Sequence, residues 1–391
     1  MTLPLLSDLS LKGHRVLLRV DFNVPLQNGI IADDSRIKAA LPSIEYILSH
    51  GASIVLMSHL GRPKGKDPTC SLAPCAKRLS ELLNKPVQLA PDCIGPPVEM
   101  MANQLRPGEI LLLENLRFYP GEENPEKDPS FALALSKLGD MYVNDAFGTA
   151  HRPHASTALI ASYFPGKRAV GLLMQKELDA LSPLLKNPKR PFYAIMGGAK
   201  LSTKLGVIQN LLKIVDGLFL GGGMTYSFLK AKGIPIGDSL YEESELPKIK
   251  ELLDHPKIHL PSDLVIAKDA AVQTIPIGQA IPAGWQGMDV GPKTIDTWSK
   301  TLRNGKTIFW NGPVGVFEMP QFAKGTQDLA NVLAILCQSG ARVIVGGGDS
   351  VSAIEQMGLG NRFSHLSTGG GASLEYLEYG HLPGLDALTR N

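Results

Sequence analysis

Apolar residues along this chain come in short blocks separated by longer stretches with helical spacing. Residues 15–22 read as a strand, and residues 35–50 place Leu41, Ile44, Ile47 and Leu48 at the period of one helix face. A second strand at 53–57 precedes a helix over 72–83. Further strands are predicted at 87–89, 110–114 and 141–144, with helical stretches between them, notably 131–138. Residues 171–186 read as one long amphipathic helix, closed by Pro188 and Pro191. The alternation then restarts with strands at 192–196, 218–220, 264–267, 307–310 and 342–345. Repeated strand–helix alternation with near-continuous apolar strands implies parallel sheets covered on both faces. One large open sheet is the weaker alternative. The chain length and the Pro-flanked helix favour two cores, with the boundary in that helix.

Composition narrows the class. Of 391 residues 19% are charged and 44% hydrophobic, which fits a globular chain and excludes disorder. A net charge of +2 gives no general attraction to nucleic acid or an anionic membrane, so any basic site is local. The four cysteines, Cys70, Cys75, Cys93 and Cys337, form no C-x-x-C pair, and reduced thiols of a cytoplasmic protein are the simplest reading. Residues 1–15 lack a basic start, a sustained apolar segment and a cleavage site, so no signal peptide is expected. No apolar run is long enough to span a bilayer.

Polar residues and glycines gather just after the predicted strands, where open α/β sheets bind ligands. In the first half these are Asp21 and Asn23, then His59 and Arg62, then Arg117, and finally His151 and Arg152, with Arg36 at a helix start. Each arginine alone is most simply a solvated charge. As a set, their planar forks suit a small phosphorylated acid. The second half carries three triple-glycine clusters, 221–223, 346–348 and 369–371, each between a strand and a helix. A bare backbone there lets a ligand approach, and helix-start N–H groups suit an anion, so a polyphosphate site is expected.

The segment Gly197-Gly198-Ala199-Lys200-Leu201-Ser202-Thr203-Lys204 superficially resembles a P-loop without matching it. Lys200 and Lys204, four apart, are expected on one helix face, either aimed at phosphates or simply solvated. Asp349 is either a helix cap or a Mg²⁺ ligand. None of the glycine clusters fits G-x-G-x-x-G, which removes the main support for a dinucleotide-binding dehydrogenase. The stretch 310–318 offers apolar walls for a base and Glu318 for ribose hydroxyls, or is only a turn.

Taken together, the words RVDFNVP (19–25), DDSRI (33–37), SHLGRP (58–63), LLENLRF (112–118), NDAFGTAHR (144–152), GGAKLSTK (197–204), GGGM (221–224), WNGPVGVFE (310–318), GGGDS (346–350) and STGGGAS (367–373) make the chain resemble the phosphoglycerate kinases over essentially its whole length. The resemblance implies an α/β protein of two lobes, each a Rossmann-like parallel sheet flanked by helices, joined by a hinge helix. It assigns residues 1–172 with 380–391 to a 3-phosphoglycerate lobe and 173–379 to a nucleotide lobe.

By motif match, Asp21, Asn23, Arg36, His59, Leu60, Gly61, Arg62, Arg117 and Arg152 resemble the phosphoglycerate site. Gly198, Lys200, Lys204, Gly222, Asn311, Glu318, Gly347, Gly348, Asp349 and Ser350 resemble nucleotide contacts, with Asp349 on the metal side. Arg36 and Lys200, with N–H groups at Gly348 and Gly371, would neutralise the transferring phosphoryl group. Cluster 221–223 would admit the adenine side, 346–348 the phosphates, and 369–371 the phosphoryl group on closure. The implied reaction is Mg²⁺-dependent transfer between ATP/ADP and 3-phosphoglycerate by a cytoplasmic monomer, with neither nucleic acid nor membrane as partner. Closure is expected about the 171–186 helix and the Ser367-Thr368 turn, with residues 382–391 returning to the first lobe. Ser350 stands where threonine is frequent, and 267–280 and 379–381 depart from the family wording, read as surface variation. A non-catalytic nucleotide sensor would need the glycines but not the arginines, and a nucleic-acid module would need a broad basic face.

Overall fold

The structure is a computed structural model that describes residues 3–389. The chain divides into two compact units, Met1–Asp179 with His381–Asn391, and Ala180–Gly380. The division falls inside the helix Leu172–Lys186.

The first unit is built on a six-stranded sheet, ordered Val87–Leu89, Ile110–Leu112, Ser53–Met57, Arg15–Arg19, Met141–Asn144, Arg168–Val170, with every pairing parallel. All five residues of Ser53–Met57 and all four of Met141–Asn144 are buried, as expected for strands covered on both faces. The helix Ser35–Ser49 turns Ile37, Ala40, Ile44 and Ile47 inward. Leu41 and Leu48, expected on that face, lie at its edge and are partly buried. The short helix Pro383–Thr389 buries Leu385 and Leu388 in this unit. Its Gly384 N–H donates to the Ala150 carbonyl at 2.8 Å, and the Arg168 guanidinium donates to the Leu388 carbonyl at 3.1 Å. Arg390 and Asn391 of the expected C-terminal return lie outside the described residues.

The second unit repeats the plan with strands Ile258–His259, Gly217–Leu220, Phe192–Met196, Thr307–Asn311, Arg342–Gly346 and His365–Leu366, again all parallel. One expected strand goes elsewhere. Residues 264–267 belong to Asp263–Lys268, the centre of a separate three-stranded antiparallel sheet with Ala271–Pro276 and Gln286–Val290. A tight turn after Lys268, with Asp269 at φ +51°, folds the strand back on itself where a parallel connection would need a crossover helix. Leu264, Ile266 and Ile275 pack there with Tyr226 and Leu229 as a small core of their own.

In each sheet the connections leave two neighbouring central strands in opposite directions. The pairs are Arg15–Arg19 with Met141–Asn144, and Phe192–Met196 with Thr307–Asn311. Such a switch point opens a crevice at the strands' carboxyl ends. The residues that follow those strands supply the two candidate sites.

Candidate functional site

In the first unit the crevice is made of side chains that hold one another. Asp21 accepts from the Arg36 guanidinium at 2.6 Å and from the Asn23 N–H at 3.1 Å. The Asn23 side chain accepts from the Gly61 N–H at 2.8 Å, and Arg117 donates to the Gly61 carbonyl at 2.8 Å. The turn holding His59, Leu60, Gly61 and Arg62 is thus pinned from two sides. Arg62 and Arg152 are exposed. Both still act electrostatically: Arg152 disfavours protonation of His151 and His154, and Arg62 opposes the charge on Arg117. Burial would raise the Asp21 carboxyl, but the field of His59, Arg36 and Arg19 outweighs it and holds the group below its usual range. Since His59 itself is pushed down to about 3, chiefly by burial and then by the neighbouring arginines, it is neutral at pH 7, and Arg36 and Arg19 carry that effect.

Three side chains behind this crevice, Arg19, Glu122 and Ser156, are not among the polar residues that the sequence marks after its strands. Arg19, fully buried, donates from Nε to the Ser156 hydroxyl at 2.7 Å and lies 3.9 Å from the Glu122 carboxylate. The Ser156 hydroxyl in turn donates to Glu122 at 2.6 Å. Arg19 also approaches His59 Nδ1 at 3.3 Å. A guanidinium has only donors, so Nδ1 must accept, and the His59 proton sits on Nε2, where the ring can donate to an anion. Asn115, which the sequence places with Arg117 just after a strand, holds the turn from the other side. Its buried amide accepts from the Leu60 and Arg117 N–H groups and donates to the Leu60 carbonyl. The signal for Arg19 was present as a charge inside an apolar strand; its partners, far off in sequence, were not.

The second crevice is made of backbone. Gly197 N–H donates to the Asn311 carbonyl and Gly198 N–H to the Pro313 carbonyl, each at 2.8 Å, and Gly222 N–H donates to the Val314 carbonyl at 3.1 Å. Three glycine segments interlock in this way. At Gly222, φ +65°, a Cβ would come within 2.7 Å of Gly198 N; at Gly312, φ +92°, within 2.3 Å of the Gly197 carbonyl oxygen. Neither position tolerates a side chain. Gly348 and Gly371 differ, because a Cβ there meets nothing within 4 Å. They open the helices Gly348–Gln356 and Gly371–Tyr379, whose first N–H groups lack intrahelical partners.

Beside this cradle lies a cavity of about 290 Å³ lined by Gly198, Gly222, Tyr226, Met288, Glu318 and Asp349 among others. Lys204 donates to the Gly197 carbonyl at 2.6 Å; burial pushes it down to about 8, and Asp349 opposes the shift. The expected helix face shared by Lys200 and Lys204 does not exist. The helix is Leu205–Ile214, and Lys204 only precedes it. Glu242 holds the preceding turn by accepting from the Ser202 N–H and hydroxyl at 2.8 and 2.5 Å, which leaves Lys200 exposed in a loop. Ser350 is fully buried and its hydroxyl accepts from Gly312 N–H at 2.7 Å, while Gly347, φ +89°, caps the helix that carries it. The Asn311 side-chain amide packs against Gly346 and Gly347, and its Nδ2 has no partner among the described residues. A buried donor left this way costs about 1–3 kcal/mol, which a ligand oxygen would relieve. Among the described residues no three His, Cys, Asp or Glu side chains cluster as a metal cage. Asp349, exposed at a helix start on the cavity rim, suits Mg²⁺, which keeps water and takes one carboxylate together with substrate phosphates.

Known proteins share the sequence and fold of this chain. The family description "Phosphoglycerate kinase" matches residues 6–380. The phosphoglycerate kinase of Moorella thermoacetica is 52% identical over 98% of this chain and 98% of its own. The cytosolic phosphoglycerate kinase of Nicotiana tabacum is 52% identical over 98% of this chain and 97% of its own. Among solved structures, the Coxiella burnetii phosphoglycerate kinase superposes with a TM-score of 0.86 at 39% identity, covering 99% of both chains. The Pyrococcus horikoshii enzyme gives 0.86 at 33%, covering 98% of both. With sequence and fold matched over nearly its whole length, the chain belongs to the phosphoglycerate kinase family.

Proposed function

We propose that the side-chain crevice of the first unit binds 3-phosphoglycerate and the glycine cradle of the second binds ATP with Mg²⁺. As a family member the chain catalyses reversible phosphoryl transfer between ATP and the carboxylate of 3-phosphoglycerate. The observation that best supports this division is the contrast between the two crevices. One is a preassembled set of cations around Asp21 and His59, the other a bare backbone fitted to a polyphosphate.

The acceptor carboxylate is ionised at pH 7, so its oxygen attacks the γ-phosphorus without a general base. The bond from phosphorus to the bridging oxygen breaks, ADP leaves with that electron pair, and no proton need move. Negative charge on the transferring group is the remaining barrier, and positioned cations and N–H groups offset it. Arg36, Lys200 and the N–H groups of Gly348 and Gly371 fill that role. Arg117, Arg152, Arg62 and the Nε2–H of His59 orient the phosphoglycerate. Lys204, Asn311, Glu318 and the 347–350 turn hold the nucleotide, and Gly222 leaves room for its base. Asp349 would hold Mg²⁺, which when bound supplies charge neutralisation at the phosphate oxygens.

In-line transfer requires both ligands together, so closure about the Leu172–Lys186 helix and the Ser367-Thr368 turn belongs to the same proposal, as do a monomeric state and a cytoplasmic location. No helix among the described residues is long and apolar enough to cross a membrane. A nucleotide sensor would have no use for the Asp21–Arg36 pair. Trapping with hydroxylamine tests the reading. Incubation with ATP, Mg²⁺ and 3-phosphoglycerate is expected to yield an acyl hydroxamate, and its absence with ADP binding intact would favour the sensor.

A further inference from the structure

Asp289 belongs to none of the assignments above, yet it stands behind both walls of the nucleotide cavity. It lies on the strand Gln286–Val290, directly after Gly287 and Met288, which line one wall. The adjoining wall is the loop of Gly315, Val316 and Glu318. The Asp289 side chain is 3% exposed, and its oxygens accept from Gly325 N–H at 2.7 Å and Val290 N–H at 2.8 Å. Gly325 is the second residue of the helix Lys324–Gln338, whose flanking Ala323 offers no side-chain cap. The cap is therefore supplied from another element.

The loop meets the same carboxylate. A Cβ on Gly315 would stand 2.0 Å from Asp289 Oδ1, and one on Gly325 would stand 2.3 Å from it. The two missing side chains make the slot that the carboxylate fills. Val316 N–H donates to the Met288 carbonyl at 2.9 Å, so the walls are also tied backbone to backbone at this point.

We propose that Asp289 is a positioning residue for nucleotide binding, whose carboxylate locks the Gly315–Glu318 wall and the start of the Lys324–Gln338 helix to the adjoining Gly287–Met288 wall. The proposal rests on the assignment of this cavity to the nucleotide. A charge in this place is costly. Burial pushes the Asp289 carboxyl up to about 7 against its two N–H bonds, and Asp328 on the capped helix adds to the rise. Tyr226, on the helix Met224–Ala231 and lining the cavity, is a further titratable group near it, and its own hydroxyl is pushed up by burial and then by Asp289. A brace with no further role would be made more cheaply from apolar groups.

The test uses the full chain and Asp289→Asn, which keeps the shape but turns one acceptor into a donor facing an N–H. At pH 8, where the carboxyl is ionised, ADP affinity by calorimetry with Mg²⁺ and the KM for ATP are expected to weaken about tenfold, the worth of one charge-assisted hydrogen bond. The KM for 3-phosphoglycerate and kcat should hold. Equal losses on both substrates, or ADP affinity unchanged, would overturn the role. Should the variant not fold, amide hydrogen exchange of the unaltered protein decides. ADP is expected to slow exchange at Gly325, which does not line the cavity, and an unaffected Gly325 amide sinks the proposal. Absence of any ADP binding by the unaltered protein would instead overturn the assignment of the cavity itself.

Discussion

The two crevices proposed to hold anions are built by opposite means. In the first, the crevice is lined by charged side chains, and buried polar groups such as Arg19, Glu122, Ser156 and Asn115 stand behind them. In the second, the ligand-facing surface is backbone, and what fixes it is steric: Gly197, Gly222 and Gly312 lie so close that an added methyl on any of them meets another segment's main chain. The first arrangement depends on charge and forgives small changes of shape. The second depends on shape and forgives changes of charge. An enzyme that must bind a compact acid with one phosphate and a long nucleotide polyphosphate has reason to use both.

The sharpest way to break the comparison is Arg36→Ala. Arg36 is partly exposed and paired with Asp21 at 2.6 Å, and the proposed function gives it the charge of the transferring group to offset. A single arginine in phosphoryl transfer is worth roughly 10³–10⁵ in rate. Steady-state kinetics should therefore show kcat falling by about a thousandfold or more, while ADP affinity measured by calorimetry stays at the unaltered value. Near-normal turnover would remove Arg36 from the chemistry.

Gly222→Ala tests the steric half. Its Cβ would press on Gly198 N from a backbone at φ +65°, and strain of this kind costs about 1–3 kcal/mol. The KM for ATP should rise roughly ten- to hundredfold, with that for 3-phosphoglycerate unchanged. Gly348→Ala sharpens the contrast, since nothing in the protein opposes its Cβ. A loss of ATP affinity there without a lower thermal midpoint reports the ligand alone; unchanged affinity would show that the phosphates do not pass Gly348.

Much of this is legible in the sequence alone. Strands covered on both faces announce themselves as apolar runs, and residues placed just after them mark the crevices whichever way the helices pack. What stayed hidden depends on contacts between distant segments. Arg19 meets Ser156, and Asp289 fits the slot left by Gly315 and Gly325, pairings that no local period encodes. The strand Asp263–Lys268 has the apolar pattern of a parallel core strand and becomes antiparallel because a tight turn follows it. Lys200 and Lys204 have helical spacing, but Glu242 holds the turn between them and delays the helix.

The units share one device, and pH separates it from the rest. Asp145 is fully buried under the start of the Leu172–Lys186 helix, where it accepts from Met174 N–H at 3.1 Å, and a Cβ on Gly171 would strike it at 2.2 Å. Burial, against hydrogen bonds from Ser43, Met174 and Leu173, pushes its carboxyl up to about 7 from an ordinary 3.8. Between those values the folded state keeps a proton that the unfolded chain has released, so stability from this group falls as pH rises. Asp145→Asn cannot titrate. Its thermal midpoint should gain on that of the unaltered protein from pH 4.5 to 7.5, and a constant difference would show that Asp145 is ionised throughout.

The smallest expected effect is also the most particular. A basic crevice invites the idea that His59 binds phosphate as a cation. Burial and the three arginines Arg19, Arg117 and Arg36 push it down to about 3, with only Asp21 opposing them. The ring then stays neutral from pH 5 upward, and the unfolded chain, protonating near 6.5, is favoured as pH falls through that value. Arg19 against Nδ1 leaves Nε2–H as the donor. Imidazole ¹⁵N resonances of His59 should show that tautomer at every pH from 5 to 8, without a titration. A neutral amide can replace a neutral donor, so His59→Gln should weaken 3-phosphoglycerate less than about tenfold, and less than His59→Ala does. A protonated ring at pH 6, or equal losses in the two variants, would make His59 one more cation of the crevice and would remove the reason for placing Arg19 behind it.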